Sequence, residues 1–545
     1  MPISRRQFLA STAASSMLSL APGLSFGNRT AAGGATARYH RCNVTSAEGQ
    51  RMLASYARGV QAMLALPADH PNNWFRNAFI HMMDCPHGNW WFYVWHRGYV
   101  GYLEQIIRKL SGDAEFAMPY WDWTELPEIP AGMFDGLLTP TAAGFATYTG
   151  NMASFTSFAK PGLSNYWDTL SPAQRSQLQA RGYPAFDNLW DDVIGYSPAQ
   201  QAGISGNIAY AIACGARYLS KANPQLDAKT KADVAAHVIL AGLLPVDFYN
   251  DQISKSFTSS RTTSHVIQPG GTTRFSILEG LPHNKVHNCI GGVGAVDPGP
   301  YGNMTNFLSP VDPVFFLHHS NMDRLWDVWT RKQQALGLPI LPTGTDLETF
   351  MAEPFLFYAD ASGQYVGPRK AGDFVDTRVF DYDYVGGFDA AVGAVANRRD
   401  KAARPPAIKA SLDQHGARVV VPNTLIRQHL DKQVAQPLVI EVTLQRPQGV
   451  ANAREFDVLV NAPDGVDRVD ADSPYYAGTV AFFGPLMPGM NMAHPATFAI
   501  PLPQTLRAFS KLQDEKTELR IRLVPSNGPA KAAPALSGAA IVPAG

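Results

Sequence analysis

Seven of the chain's fourteen histidines fall in three short, aromatic-rich segments. The first, Phe79 to Glu104, holds His81, Cys85, His87 and His96; the second, Pro282 to His287, holds His283 and His287; the third, Phe315 to Trp326, holds His318 and His319. Imidazole offers a neutral nitrogen lone pair near neutral pH, so the chemistry to consider is metal binding. His283 and His287 are four residues apart and would project from one face of a helix as a two-nitrogen chelate. His319 and Asp323 repeat that spacing, which places the carboxylate to accept a hydrogen bond from a neighbouring imidazole. His87 and His96, nine apart, cannot share a helical face; Gly88 sets His87 in the loop before a helix that carries His96. A lone buried histidine is usually a hydrogen-bonded core residue, and one pair at helical spacing recurs by chance. Three such segments in one chain do not fit that blander reading. A nearly all-imidazole set suits copper or zinc better than magnesium, calcium or an iron–sulfur cluster. Six histidines suit two ions with three ligands each.

Elements must position these residues. Met52, Leu53, Tyr56, Val60, Met63 and Leu64 form the apolar face of a helix over 46–65, with Ser46 as N-cap and Gln50 near a capping-box position. A second helix is predicted over 72–83 and a long buried one over 90–110, stopped by Ser111-Gly112-Asp113. Residues 119–130 read as a proline-punctuated loop, and 131–280 as loops and helices (171–182 and 227–244 among them) without a chemical motif. Two more helices follow over 280–290 and 312–333, the latter with Pro313 in its first turn. Residues 392–408 are charged and Pro-containing, as a linker would be. Beyond them, alternating β-branched segments at 417–421, 438–444, 455–461, 477–483, 497–501 and 518–524 predict a small β-sandwich or barrel. The expected division is a leader and flexible start over 1–35, a mainly α metal-binding domain over 36–391, the linker, a β-rich domain over 409–527, and an Ala/Pro/Gly-rich disordered tail over 528–545.

A chain of 545 residues is long enough for two or three domains, and its formal net charge of zero gives no reason to expect nucleic acid or an anionic membrane as partner. Four cysteines are too few for a disulfide scaffold. Ser4-Arg5-Arg6-Gln7-Phe8-Leu9 is a twin-arginine pattern before a short, Ser/Ala-rich apolar run. It predicts a cleaved export signal rather than a membrane anchor, and a periplasmic or secreted protein of bacterial type.

HGNWWFYVWHRGYVGYLE and DPVFFLHHSNMDRLW resemble the two copper-binding signatures of the type 3 copper proteins, the tyrosinases, catechol oxidases and molluscan haemocyanins. PYWDW at 119–123 and the Tyr382-Asp383-Tyr384 pattern are similar to further features of that family. The resemblance spans roughly 40–385 and implies a four-helix-bundle core around a dicopper centre. By position it implies His81, His87 and His96 on the first copper and His283, His287 and His319 on the second, with His318 in support. His70 is the rival to His81, which is preferred because it ends an apolar helix whereas Asp69-His70-Pro71 reads as loop. Cys85, two before His87, matches the pattern that in fungal members carries a thioether to the imidazole. Glu279 and Asn284 match a pair held to position a water that takes the phenol's proton; a helix N-terminal acid is the plainer reading of Glu279.

Asn288 would line the entrance and Phe315 would pack beside the site. The implied activity is that of a tyrosinase: ortho-hydroxylation of monophenols and oxidation of o-diphenols to o-quinones, with O2 as co-substrate and small phenols as partners. Catechol oxidase or o-aminophenol oxidase without monophenolase activity is the alternative. An O2 carrier or a copper-storage protein fits less well, and the subunit number stays open. Family members often carry a β-rich domain that covers the copper entrance. In this chain its loop brings Met487, Met490, Met492 and His494 together, soft ligands suited to Cu(I), so a plug that also assists copper loading is expected alongside plain hydrophobic turn packing.

Overall fold

The computed structural model describes residues 37–194, 217–267, 271–292, 302–385, 406–431, 436–445, 454–484, 494–512, 515–526 and 534–543. The twin-arginine stretch, residues 392–405 of the expected linker, Cys214 and Met487, Met490 and Met492 lie outside the described residues, and the end of that linker enters a strand at Ile408. His494 is described and sits exposed two residues before a strand.

Five helices hold the centre of the molecule. Ser46 caps α1 (Ala47–Ala65), its hydroxyl accepting from the Gly49 N–H, and Asn73 caps α2 (Trp74–Asp84) through two backbone donors. The Gln50 amide donates to the Val44 carbonyl instead of completing a capping box. α3 (Phe92–Ser111) stops at Gly112, whose φ of 73° is left-handed backbone that glycine adopts without cost. α4 (Asn284–Gly291) and α5 (Val314–Leu336) complete the set. α3 packs against both α1 and α5. The Tyr99 hydroxyl on α3 donates to the Asn77 carbonyl of α2 (3.0 Å), and the Trp74 indole of α2 donates to the Val311 carbonyl just before α5 (3.0 Å). Trp74, Trp90, Trp91, Trp95, Trp121, Trp123, Trp326 and Trp329 are all buried in this core. It is a helical core, as the periodicity predicts.

One helix departs from expectation. Residues Glu279–His283 form a wide π-type turn leading into α4 in place of a regular α-helical start. Pro282 supplies the reason: it has no N–H to give an α-helical ladder.

Three strands of the helical part bear on the site: β1 (Tyr39–Cys42), β2 (Thr273–Phe275) and β3 (Tyr382–Val385). β1 and β3 pair in parallel, bringing Tyr39 opposite Tyr382 and Arg41 opposite Tyr384.

The C-terminal part contributes β4 (Ile408–Lys409), β5 (Ser411–Asp413), β6 (Gly416–Pro422), β7 (Leu438–Gln445), β8 (Glu455–Val460), β9 (Tyr476–Ala481), β10 (Ala496–Pro501), β11 (Lys516–Pro525) and β12 (Ala535–Pro543). They form two five-stranded sheets, ordered β9-β8-β11-β6-β5 and β2-β10-β7-β12-β4. One detail corrects the sequence reading. Residues 535–543, expected to be disordered, are strand β12, paired with β7 and burying Ile541 and Val542. Composition hid an alternation that the sheet uses.

The edge strand β2 comes from the helical part. It pairs in parallel with β10, Thr273 to Ala496 and Phe275 to Phe498. Val238, Ala241, Ile253, Ile277 and Leu281 share the sandwich's apolar core. The two parts are therefore separable in sequence but not in packing. No helix among the described residues is long and apolar enough to cross a membrane.

Candidate metal centre

The three histidine segments meet in one buried space. His81 comes from the last turn of α2, His87 from the link to α3, His96 from α3, His283 from the end of the π turn, His287 from α4, and His318 and His319 from α5. His81 Nε2 and His96 Nε2 are 3.4 Å apart, and His287 Nε2 and His319 Nε2 are 3.1 Å apart. Ligand atoms of His283, His287, His318 and His319 lie within 4.8 Å of one another, as do those of His81, Cys85 and His87. His70 stays outside, partly exposed in its loop with Nδ1 accepting from the Asn72 N–H.

Hydrogen bonds fix which nitrogen faces inward. The Nδ1–H of His81 donates to the Phe307 carbonyl (2.6 Å), that of His96 to Phe92 (2.7 Å) and that of His287 to Met304 (2.7 Å). The Nδ1–H of His283 donates to Asn284 Oδ1 (2.9 Å). Each of these rings then presents an Nε2 lone pair to the centre. The Nε2 atoms of His87, His283 and His318 are buried without a hydrogen-bond partner, a costly arrangement in a protein and, where that nitrogen holds a lone pair, a natural one for a metal ligand. The residues present fit a pair of metal ions.

The adjacent pair on α5 divides by the same reasoning. The Trp123 indole N–H donates to His318 Nδ1 (3.0 Å). Indole can only donate, so the neutral His318 ring carries its proton on Nε2 and has no second lone pair for a metal. His319 instead places Nε2 beside His287 while its ring stacks on Phe315, centroids 4.1 Å apart.

Other expected residues are placed differently. Asp323 accepts from no imidazole. It receives Arg97 (2.7 Å), Arg41 (3.0 Å), Tyr384 (2.7 Å) and Tyr382. Two buried guanidiniums outcompete an imidazole for a carboxylate, and they hold its pKa down against its burial. Asp323 thus ties α3 and α5 to the β1–β3 pair. Glu279 is buried in the π turn, with Gly88 N–H donating to Oε1 (2.6 Å) and the Ser259 hydroxyl to Oε2. Burial pushes its pKa up to about 8, with those two donors opposing. The Asn284 side chain donates to the Ala481 carbonyl (2.8 Å) while holding His283; its backbone N–H donates to the Glu279 carbonyl across the π turn, and its amide does not reach the Glu279 carboxyl group. Cys85 Sγ is 3.4 Å from His87 Nδ1, with Arg181 donating to the Cys85 carbonyl (2.8 Å).

The C-terminal sandwich closes the centre. Phe483, two residues past β9, places its ring 4.2 Å from that of His287, 5.0 Å from His87 and 5.6 Å from both His283 and Phe307. Around it, Asn288 Nδ2 donates to the Phe482 carbonyl (3.1 Å) and to Glu455 (3.2 Å), and Lys285 pairs with Glu455 (2.6 Å). The outer side of α4 is thus bonded to the sandwich along its length. The family resemblance implied a cover, but nothing local in the sequence marked Phe483 or Glu455.

The imidazoles are neutral. Burial lowers His81 and His283 to about 3, and burial with neighbouring imidazoles takes His87, His96, His287 and His319 well below the ordinary value. An unfolded chain protonates its histidines below about pH 6.5. Between there and about pH 3 the unfolded chain binds more protons than the folded one, so stability rises with pH across that window. The metal-free protein should therefore lose thermal stability steadily from about pH 6.5 toward 4, by more than a single proton's slope. A flat melting temperature over that range would contradict the burial of these rings.

A family model described as the common central domain of tyrosinase matches residues 37–332. The chain is 27% identical over 348 residues to the chloroplastic polyphenol oxidase II of Ipomoea batatas, covering 61% of this chain and 47% of that protein. It is 24% identical over 382 residues to a tyrosinase of Hahella sp. (strain CCB-MM4), covering 64% and 63%. The chain spans about half the length of the first of these relatives. A solved structure of recombinantly expressed latent aurone synthase, a polyphenol oxidase, superposes with a TM-score of 0.53 at 19% identity over 94% of this chain and 91% of that one. That likeness is one of fold, helical core and β-rich C-terminal part together.

Proposed function

The chain belongs to the tyrosinase family, and on that premise we propose that it oxidises phenols with O2 at two copper ions, hydroxylating monophenols ortho to the OH and converting o-diphenols to o-quinones. The observation that carries the phenolic reading is Phe483. A benzene ring already fits among His87, His283, His287 and Phe307, so the space over the histidines has the size and aromatic lining a phenol needs. His81, His87 and His96 would hold one ion and His283, His287 and His319 the other. Copper bound there supplies O2 activation and electron transfer. The chain's own residues do the rest: Asn284 holds the His283 ring, Phe315 backs His319, and the covered site excludes water. For substrate to enter, the segment bearing Phe483 must move.

Cys85 is proposed to be joined to His87 by a thioether, formed with loss of the thiol S–H and an imidazole C–H in a two-electron oxidation for which O2, the co-substrate of the proposed activity, would be the oxidant; it would fix that ring. Peptide mass mapping reads this directly, and an alkylatable Cys85 in copper-loaded protein would rule it out.

Glu279 is assigned the phenol's proton, with Asn284 beside it, once the sandwich has moved and water reaches both. Its capture by Gly88 and Ser259 is also the one observation favouring the alternative, a catechol or o-aminophenol oxidase without monophenolase activity. The test compares turnover of a monophenol and a catechol by the copper-loaded protein and by Glu279→Gln. Loss of a general base costs roughly 100-fold or more. That loss is expected on the monophenol and much less on the catechol; equal losses would remove the base role. No wild-type monophenol turnover at all would select the alternative.

A further inference from the structure

His265 lies in the region between the two histidine-rich halves, well over a hundred residues after the ligands proposed for the first ion, and its side chain is buried. Its ring sits between two carboxylates, Nδ1 2.6 Å from Glu353 Oε1 and Nε2 3.1 Å from Asp84 Oδ1. Its backbone N–H also donates to Glu353 (2.7 Å), and its carbonyl accepts from Asn89 Nδ2 (2.9 Å).

Asp84 and Asn89 are the two ends of the link that carries His87. Asp84 closes α2, three residues after His81, and Asn89 precedes α3, which bears His96. The four residues between them, Cys85-Pro86-His87-Gly88, have no regular structure of their own. His265 therefore grips that link at both ends, by its ring at one and its carbonyl at the other. Asp84 passes the restraint on: its Oδ2 accepts from the Trp95 indole (2.7 Å), whose ring meets His96 edge-on at 4.9 Å and His81 at 5.7 Å.

We propose that His265 is a positioning residue for the first metal site, a doubly hydrogen-bonded imidazolium that sets where His87 stands relative to His81 and His96. Carboxylates only accept, so a ring satisfying one at each nitrogen carries both protons. Burial alone would drive a proton off, but Asp84 and Glu353 outweigh it and raise the pKa. A buried charge held this firmly costs desolvation that a packing role alone would not require. A preorganised link lowers the cost of gathering three rings on one ion, which is how supporting contacts raise metal affinity.

The inference rests on His87 holding copper. The test keeps the two claims apart by measuring metal directly. Full-length wild type, His265→Gln and His265→Ala are loaded with copper and challenged with a chelator, while copper per chain and Cu(II) EPR are followed. Gln retains one donor for Asp84 and loses the one to Glu353; Ala loses both. One of the two ions is expected to leave about tenfold faster in Gln, and faster again in Ala, while the other leaves at the wild-type rate. The half-emptied protein would show the EPR signal of a lone Cu(II) that a coupled pair hides. The melting temperature of the metal-free Gln variant should fall somewhat, because two buried carboxylates lose their shared counter-charge; a merely structural loss would speed departure of both ions alike, so the difference between the two rates is the readout. Equal wild-type and Gln rates would overturn the proposal, and so would simultaneous loss of both ions from the Gln variant. Wild type that binds no copper would instead sink the reading of His87.

Discussion

Phe483→Ala should raise catechol turnover by the copper-loaded protein by about tenfold or more. Truncating a buried phenylalanine costs about 3–5 kcal/mol, and this ring packs mainly on the imidazoles, where it fastens the sandwich to the metal centre. Even half of that, spent against the closed arrangement, moves an opening equilibrium by more than tenfold. The variant also empties the space a substrate ring would use. Deleting the whole C-terminal part is a poorer experiment, because Val238, Ile253, Ile277 and Leu281 would lose the core they share with it. A gentler companion is Glu455→Gln, which keeps the fold's apolar packing and removes the charge facing Lys285. It takes the direct ion-pair partner from a buried ammonium in the closed form, leaving only the attraction of Asp227 and Asp233, and activity should again rise. Unchanged steady-state rates in both variants would mean that the sandwich does not limit access.

The second large effect separates neighbours on α5. His319→Ala should reduce copper from two ions per chain to one and lower turnover by more than the roughly 100-fold that losing a supporting contact costs. His318→Ala should keep both ions, because its only free nitrogen carries a proton fixed there by Trp123. Removing it leaves that indole N–H unpaired, so a modest loss of stability, about 1–3 kcal/mol, is expected instead. Metal analysis and thermal melts distinguish the two outcomes. Copper loss in His318→Ala with retention in His319→Ala would reverse the assignment.

Short-range spacing made much of the centre legible. His283 and His287 keep the helical spacing that marks a chelate, with centroids 4.6 Å apart, because both ends of that interval lie at or beyond the end of the π turn. One turn earlier the same rule misleads: Pro282 widens the backbone, and Glu279 is not where regular helical spacing places it relative to His283 and Asn284. Asp323 fails for another reason. Its partners Arg41 and Arg97 are more than two hundred residues away, and no local pattern reports a buried ion network. Arg181, Ser259 and His265 sit in a region without a motif, yet each touches the link or the turn that carries a ligand. Single residues that act over long sequence separations leave no periodicity to read. The helical core and the sandwich were legible because burying an apolar face imposes one.

The short strand β2 changes what opening means. Thr273–Phe275 is hydrogen-bonded to β10 of the sandwich and runs straight into Ser276, whose N–H is held by the same Ser259 hydroxyl that grips Glu279 (3.0 Å to Ser276). Any motion that peels β10 away also slackens the peptide that keeps this acid dry. On the proposed role of Glu279, the uncovered protein would then not be the closed one minus an obstacle: water reaching the carboxyl group would relieve the burial that pushes its pKa up to about 8. Admission of substrate and the readiness of the acid to accept a proton would become one event, set by the tension on three residues.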